Sequence, residues 1–599
     1  MRQILLALAL CLSANVGALA QPTLFDPNLT ISIAGTGLSQ PTSMVFIGPD
    51  DFLVLQKNDG KVMRVTGGVL NPTPVLDVDV DPRFGGLLRI VVHPNFQNNQ
   101  YVYIFYTEGD TGMDILGTAV ANRVYRYTWD SGSGTLTSPV LIANRPALTT
   151  GSGNYSGIMV FGPDNKLYIT VGDLGRTGQL QNNPAGAGAD DTSVILRLND
   201  DGTTPQDNRF RFQGGPAADY FAYGVRNSFG MAFDPLTGKL WNTENGPMNW
   251  DEINLVERGF NSGWTKIQGP MSQDPEGETT ADLFALPRSR YADPKFSWFE
   301  SIGVTGIVFL NSAELGPEYE NNVFVGDYVF GNLSRFELNQ KRDGFVLFDN
   351  LADKIANNSN ERNDARIGEG FGSISALSAG PDGFLYVVSI SDGSVYAVHP
   401  VLQVAAATVP NGVMGSPYNA DLTVSGGTGP YTLTVLSGAL PPGLSITGTA
   451  ITGTPTEMGN FSFTLQIAET GGAVSVKSYS VKVHKALYLR TKKLHKGRAG
   501  RNYVARVTAI GGNRDYTWSI AAGALPAGLT LNAATGKITG IRSPRAWQFH
   551  RPSHRFARRQ RTAGAEYYSE LTRRLQFSER RSPSAKASPL KNSNVPSEL

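Results

Sequence analysis

The 599-residue chain contains a single cysteine, Cys11. A lone thiol forms no intramolecular disulfide, and beyond it the chain has no thiolate metal site and no cysteine nucleophile. Histidine is scarce as well: His93, His399, His484, His495, His550 and His554 are all there are, so the commonest general base has few places to act. Charged residues make up only 17% of the chain, which argues against a disordered or nucleic-acid-binding protein. The apolar run from Ile4 to Leu12 is too short to span a bilayer, and no later run reaches the roughly 18 residues a membrane helix needs. Gly-x-Gly-x-x-Gly after a strand, a P-loop, His-Glu-x-x-His and Gly-x-Ser-x-Gly are all missing, so nucleotide, nicotinamide, zinc and serine-hydrolase chemistry have no support.

What is abundant is turn-forming residues, with 67 glycines and 35 prolines. Gly48-Pro49-Asp50, Gly162-Pro163-Asp164, Phe233-Asp234-Pro235 and Gly380-Pro381-Asp382-Gly383 each precede a β-branched and aromatic run. Proline at the second turn position followed by Asp or Gly makes a tight turn that feeds a strand. Repeated turn–strand units without helical periodicity predict an all-β sandwich, barrel or propeller over residues 21–400. Residues 1–20 read as a signal peptide: Arg2, an apolar stretch, and Ala18-Leu19-Ala20 as the cleavage site. The expected destination is secreted or periplasmic, with cell-surface association as a further option.

A different texture starts near Val401. Gly438-Ala439-Leu440-Pro441-Pro442-Gly443-Leu444 returns 85 residues later as Gly523-Ala524-Leu525-Pro526-Ala527-Gly528-Leu529. That period fits an immunoglobulin-sized sandwich, so an Ig-like domain is expected over 401–484 and a second, truncated one over 485–541. Both copies resemble the Ig-like repeats of bacterial surface proteins. Residues 542–599 hold 13 Lys/Arg against 4 Asp/Glu, which leaves −9 on residues 21–541. This segment is expected to be a basic disordered or frame-shifted tail; the alternative is a basic arm for an anionic partner.

The tract Tyr223-Gly224-Val225-Arg226-Asn227-Ser228-Phe229-Gly230 is followed by Thr243-Glu244-Asn245-Gly246-Pro247, Trp250-Asp251-Glu252-Ile253-Asn254 and Asn261-Ser262-Gly263-Trp264. This series resembles the glucose/sorbosone dehydrogenase family of soluble quinoprotein sugar dehydrogenases, and the likeness covers roughly residues 30–400. The resemblance implies a six-bladed β-propeller, the cofactor pyrroloquinoline quinone (PQQ) and calcium, a sugar or small alcohol as substrate, and a diffusible electron acceptor. It implies cofactor contacts at Arg226, Asn227 and Trp298, calcium-binding carbonyls at Gly246 and Pro247, and a role for Arg226 in catalysis.

The resemblance also exposes departures. Asn154 stands where the family has its base histidine, and an amide cannot take a proton near neutral pH. Phe84 replaces a glutamine beside the quinone. Ser373 and Ser375 replace two arginines that clamp cofactor carboxylates, and Val329 replaces a lysine. Asp173 is a substitute base to consider, and Arg176 or Arg366 substitute cations, against the plainer reading of each as a turn or surface residue. His93 sits in a turn motif and His399 at the domain exit. Two functions follow: an exported PQQ-dependent dehydrogenase, or a catalytically inactive propeller serving as a carbohydrate-binding or adhesion module with the Ig-like repeats as its surface contact. An open polar cleft beside Gly246 favours the first. A channel filled by Phe84 and Val329 favours the second.

Overall fold

The Gly-Pro-Asp turns are tied to the strands that follow them. Asp164 Oδ1 accepts from the Lys166 amide and its Oδ2 from the Tyr168 hydroxyl, at 3.1 and 3.0 Å. Asp382 repeats the arrangement with Phe384 and Tyr386, at 3.0 and 2.6 Å. One carboxylate thus closes the turn and anchors a tyrosine on the next strand, which explains why the motif recurs at strand starts.

The computed structural model describes residues 21–543 and 575–579, apart from positions 84, 111, 113, 118, 149–152, 405, 407, 428, 470–473 and 513–515. The expected signal peptide and most of the basic tail lie outside the described residues. The chain divides after Val401 into two compact units.

The first unit contains six sheets, antiparallel except for short strands added parallel at the outer edges of two of them. Their first strands are Pro41–Gly48, Leu87–Val92, Ser156–Phe161, Gly230–Phe233, Val304–Phe309 and Ile374–Ala379. Each of these touches the next, and the last touches the first. A closed ring of six innermost strands is a six-bladed propeller. The sixth blade is completed by Leu29–Thr36, which pairs antiparallel with Ser394–Pro400, so the N-terminal strand locks the ring.

Packing between blades is tight. A Cβ at Gly230 would lie 2.2 Å from the Thr305 carbonyl oxygen of the next blade, so only glycine fits there. Every inner strand except Gly230–Phe233 carries a register shift near its start: at Pro41/Ser43, Leu87/Arg89, Ser156/Met159, Val304/Ile307 and Ile374/Ala376. Such bulges re-aim side chains at the end of a sheet, and here they all occur at one mouth of the ring.

In the second unit, a four-stranded sheet (Gly412–Val413, Val474–His484, Gly459–Glu469, Tyr431–Gly438) and a three-stranded one (Tyr418–Asp421, Ala450–Gly453, Leu444–Thr447) enclose Leu422, Ile451, Leu465 and Ile467. This is an Ig-like sandwich. The second copy has its own small core around Val507, Trp518 and Ile538. Its strand Tyr516–Ile520 pairs with Leu575–Glu579 from the basic tail. No helix among the described residues is long and apolar enough to cross a membrane.

Candidate active site in the central cavity

At the bulged ends of the inner strands the ring encloses an open cavity of about 680 Å³. Thr42, Leu88, Ser156, Thr305 and Ser375, all at inner-strand starts, line it, together with loops that leave the second strands at Lys57, Asn245, Tyr328 and Ser391. Among the described residues its wall holds three cations, Lys57, Arg83 and Arg226, and no carboxylate.

Arg226 and Asn227 both reach this wall. Arg226 Nη1 donates to the carbonyls of Asn245 and Gly246, at 2.7 and 2.9 Å. Its guanidinium lies over the Trp264 ring, 5.2 Å from the centroid, and its Nε is buried without a hydrogen-bond partner. Burial lowers its pKa, and Asp173, Glu244 and Asp251 oppose that shift. Asn227 Oδ1 accepts from the Ser156 amide at 3.2 Å.

Asn154 lines the cavity and Asp173 stands behind it, 3% exposed. Asn154 Nδ2 donates to Asp173 Oδ1 at 3.0 Å, and the Gly175 amide donates to the same oxygen at 2.8 Å. With its amide nitrogen held by Asp173, Asn154 has Oδ1 left as an acceptor. A Cβ at Gly172 would meet the Asn154 carbonyl at 2.0 Å, so the close approach of these two loops depends on glycine at 172.

Gly246 is part of the cavity wall, but its carbonyl already accepts from Arg226. Pro247 is exposed and outside the wall. Calcium takes six to eight oxygen ligands, typically including carboxylates, and no cluster of three acidic or histidine ligands occurs among the described residues. The Gly246 carbonyl thus carries the Arg226 guanidinium, and the described wall offers no side-chain carboxylate as a further oxygen ligand. An anionic planar quinone does fit a roomy wall bearing three positive side chains.

Trp298 is not in the wall. It packs at 1% exposure against Phe296 and Phe336, with ring centroids 4.9 and 6.0 Å away. It shares with Phe296 the core-facing side of the strand Phe296–Glu300. The tryptophan that meets Arg226 is Trp264. Val329 is 58% exposed and does not fill the channel, while Phe84 lies outside the described residues. Ser375 lines the cavity and donates to the Pro41 carbonyl at 2.7 Å. Arg176 pairs with Asp190 and Arg366 with Glu369. Neither arginine is in the wall.

His93 is occupied by the Asn95 amide and packed beside Tyr103 and Phe161. His399 is 1% exposed on the strand Ser394–Pro400.

Sequence reasoning passed over two features. Lys57 is the first. Its ammonium donates to the Pro82 carbonyl at 2.9 Å and to Asn58 Oδ1 at 3.2 Å, and burial pushes it down to about 8 against the pull of Asp81. The only sequence signal was a Lys-Asn-Asp-Gly turn after a strand. The second is a buried pair of carboxylates, Glu244 and Glu252, opposite each other on adjacent strands. Asn254 Nδ2 donates to both, at 3.5 and 2.9 Å. Burial raises them to about 7 and about 8 respectively, and for Glu252 the charge of Glu244 adds to the rise.

A family model for Glucose / Sorbosone dehydrogenase matches residues 38–397, and an Ig-domain model matches residues 399–484 and 491–549. The chain is 28% identical over 383 residues to the aldose sugar dehydrogenase YliI of Escherichia coli, spanning 62% of this chain and 93% of that protein. It is 34% identical over 293 residues to quinoprotein glucose dehydrogenase B of Acinetobacter calcoaceticus, spanning 45% and 58%. The apo soluble aldose sugar dehydrogenase of Escherichia coli superposes with a TM-score of 0.50 at 24% identity, over 62% of this chain and 99% of that one. That structural likeness concerns the fold.

Proposed function

Because the chain belongs to the glucose/sorbosone dehydrogenase family, we propose that it is a PQQ-dependent oxidoreductase acting on an aldose or related alcohol. The observation that carries the reading is the open cavity at the inner-strand ends, with three cations and no carboxylate in its described wall. When bound there, the quinone supplies the two-electron acceptor for hydride from the substrate carbon.

The chain's own residues have narrower tasks. Arg226, fixed by the Asn245 and Gly246 carbonyls, presents positive charge at a defined place, and Asn227 is held beside it. Asn154 offers Oδ1 to a substrate hydroxyl, oriented by Asp173. Asp173, behind Asn154 and outside the described wall, acts by fixing that amide, and the hydroxyl proton leaves to water in the open cavity. No step is routed through calcium. The protein is exported in this reading, its electrons leave on a diffusible acceptor, and the Ig-like repeats make its surface contacts. The rival reading, a propeller retained for binding, is favoured by the amide at the base position.

The test is a titration of the full chain with PQQ, in calcium and in chelator, followed by dye reduction with a panel of aldoses. Saturable binding with sugar-dependent reduction is expected. Binding without reduction for any sugar supports the binding-module reading, and absence of binding refutes the dehydrogenase.

A further inference from the structure

The residues at which the resemblance expects a basic clamp for the cofactor's carboxylates are neutral in this chain: Ser373, Ser375 and Val329. They belong to the fifth and sixth blades. Ser375 spends its hydroxyl on backbone carbonyls, and Val329 faces solvent. The cavity is nevertheless cationic, and two of its three cations lie elsewhere, on loops of the first two blades. Lys57 follows the strand Asp51–Gln56, and Arg83 precedes the strand Leu87–Val92.

We propose that Lys57 and Arg83 form a relocated anion clamp, so that a carboxylate-bearing ligand is held from the first two blades rather than the last two. The inference rests on the reading of the cavity as the quinone site, and extends to polycarboxylates in general.

Three observations support it. First, the loops are mutually braced. The Leu87 amide donates to the Lys57 carbonyl at 2.9 Å, and the Lys57 ammonium donates to the Pro82 carbonyl at 2.9 Å. A Cβ at Gly86 would lie 2.1 Å from the Lys57 carbonyl oxygen. The backbones of the two loops are thereby held together, with the Lys57 ammonium tied to the loop that carries Arg83. Second, the neighbouring acids are engaged elsewhere. Asp81 accepts from the amides of Arg83, Gly117 and Ala119. Asp59 accepts from Gln56 and sits 3.8 Å from the Lys61 ammonium. Neither lines the cavity, so no carboxylate of the described wall competes with a ligand's. Third, the Lys57 ammonium makes two hydrogen bonds, both to uncharged oxygens. It has a third donor, and burial disfavours its charge by more than Asp81 supports it, a state that an arriving carboxylate relieves.

Around Lys57 the charged or titratable groups are Asp59 on its own loop, Asp81 and Arg83 on the facing loop, and Arg226 in the cavity wall. Burial lowers the Lys57 ammonium to about 8. A ligand carboxylate bound to the ammonium form is therefore held fully below that pH, and its affinity falls as pH rises through it.

The experiment measures equilibrium binding of two probes to the full chain: PQQ, by quenching of tryptophan fluorescence, and benzene-1,3,5-tricarboxylate, by calorimetry. Each is measured at pH 7 and pH 9.5. The variants are Lys57→Met, Arg83→Met and Lys57→Arg, with circular dichroism and melting to show that each is folded. Lys57→Met and Arg83→Met are each expected to weaken PQQ about 30-fold or more. Wild type is expected to lose affinity at pH 9.5, and Lys57→Arg to keep it, because arginine stays charged. Wild-type affinity for PQQ in both Met variants overturns the clamp while leaving the quinone reading intact. Tricarboxylate binding that depends on Lys57 without any PQQ binding refutes the quinone reading while leaving the clamp. If neither probe binds wild type, both fall.

Discussion

Glu244 and Glu252 give the protein a stability that should fall as pH rises toward 8. Both carboxyls are buried and face each other across adjacent strands. Desolvation is the largest cause of their raised values, and the mutual charge of the pair adds to it for Glu252. For Glu252 the folded value is about 8, against an ordinary 4.5. Between those values the folded chain binds a proton that the unfolded chain has released, so stability declines with rising pH. At about 1.36 kcal/mol per pKa unit, the decline between pH 5 and pH 8 is on the order of 3 kcal/mol. Asp327, raised by burial to about 6, adds a decline of the same sign at the acid end of the range, so the comparison must be made against a variant. Glu252→Gln removes the titration while retaining an oxygen that can accept from the Gly269 amide, now at 2.7 Å. Scanning calorimetry across pH 5–8, following the propeller transition, should show a falling melting temperature for wild type and a flatter profile for Glu252→Gln. A wild-type profile that rises or stays level would refute the reasoning, as would a variant with the same slope.

Two further outcomes are expected. Asp251 is buried, and it accepts from the amides of Gly246, Ile302, Gly303 and Val304 at 2.7–3.1 Å. Asp251→Ala should therefore cost on the order of 3–5 kcal/mol by denaturant unfolding, and loosen the cavity wall at Gly246 and Gly303. Asn154→His places an imidazole beside Asp173, so it should raise kcat for aldose oxidation by about 10²-fold and give the rate a rising limb near pH 6–7. An unchanged kcat in a folded variant would mean that the proton leaves by another route.

The turn–strand rhythm made the first unit legible as an all-β fold. Turn chemistry is local, and Asp164 with Tyr168 or Asp382 with Tyr386 acts within four residues. The ring was not legible from rhythm alone, because its evidence is the contact of Pro41–Gly48 with Ile374–Ala379, far apart in sequence. Arg226, Asn227, Asn154 and Gly246 could be found because they sit in distinctive tracts. Trp298 shows the limit. An isolated tryptophan in Phe-Ser-Trp reads equally as core or ligand contact, and strand alternation with Phe296 turns it inward. Trp264, which meets Arg226, was visible as the end of the same tract but carried no mark of that contact. Lys57 was missed because nothing in a turn sequence reveals that its ammonium will be enclosed by another blade. The Glu244–Glu252 pair was missed because cross-strand register is a property of pairing, not of spacing.

The strand that locks the ring also fixes an order in time. Thr36 and its partner Ser394 are separated by 358 residues. At roughly 5–20 residues per second of synthesis, Leu29–Thr36 waits on the order of 20–70 s for the strand it will pair with. Throughout that interval it is an unprotected sheet edge carrying Leu29, Ile31 and Ile33. The cavity has the same history, since Ser375, Ile390 and Ser391 in its wall arrive with the last blade. No ligand can be enclosed while the first five blades are being made, so loading of the site belongs to the finished propeller and not to the growing chain.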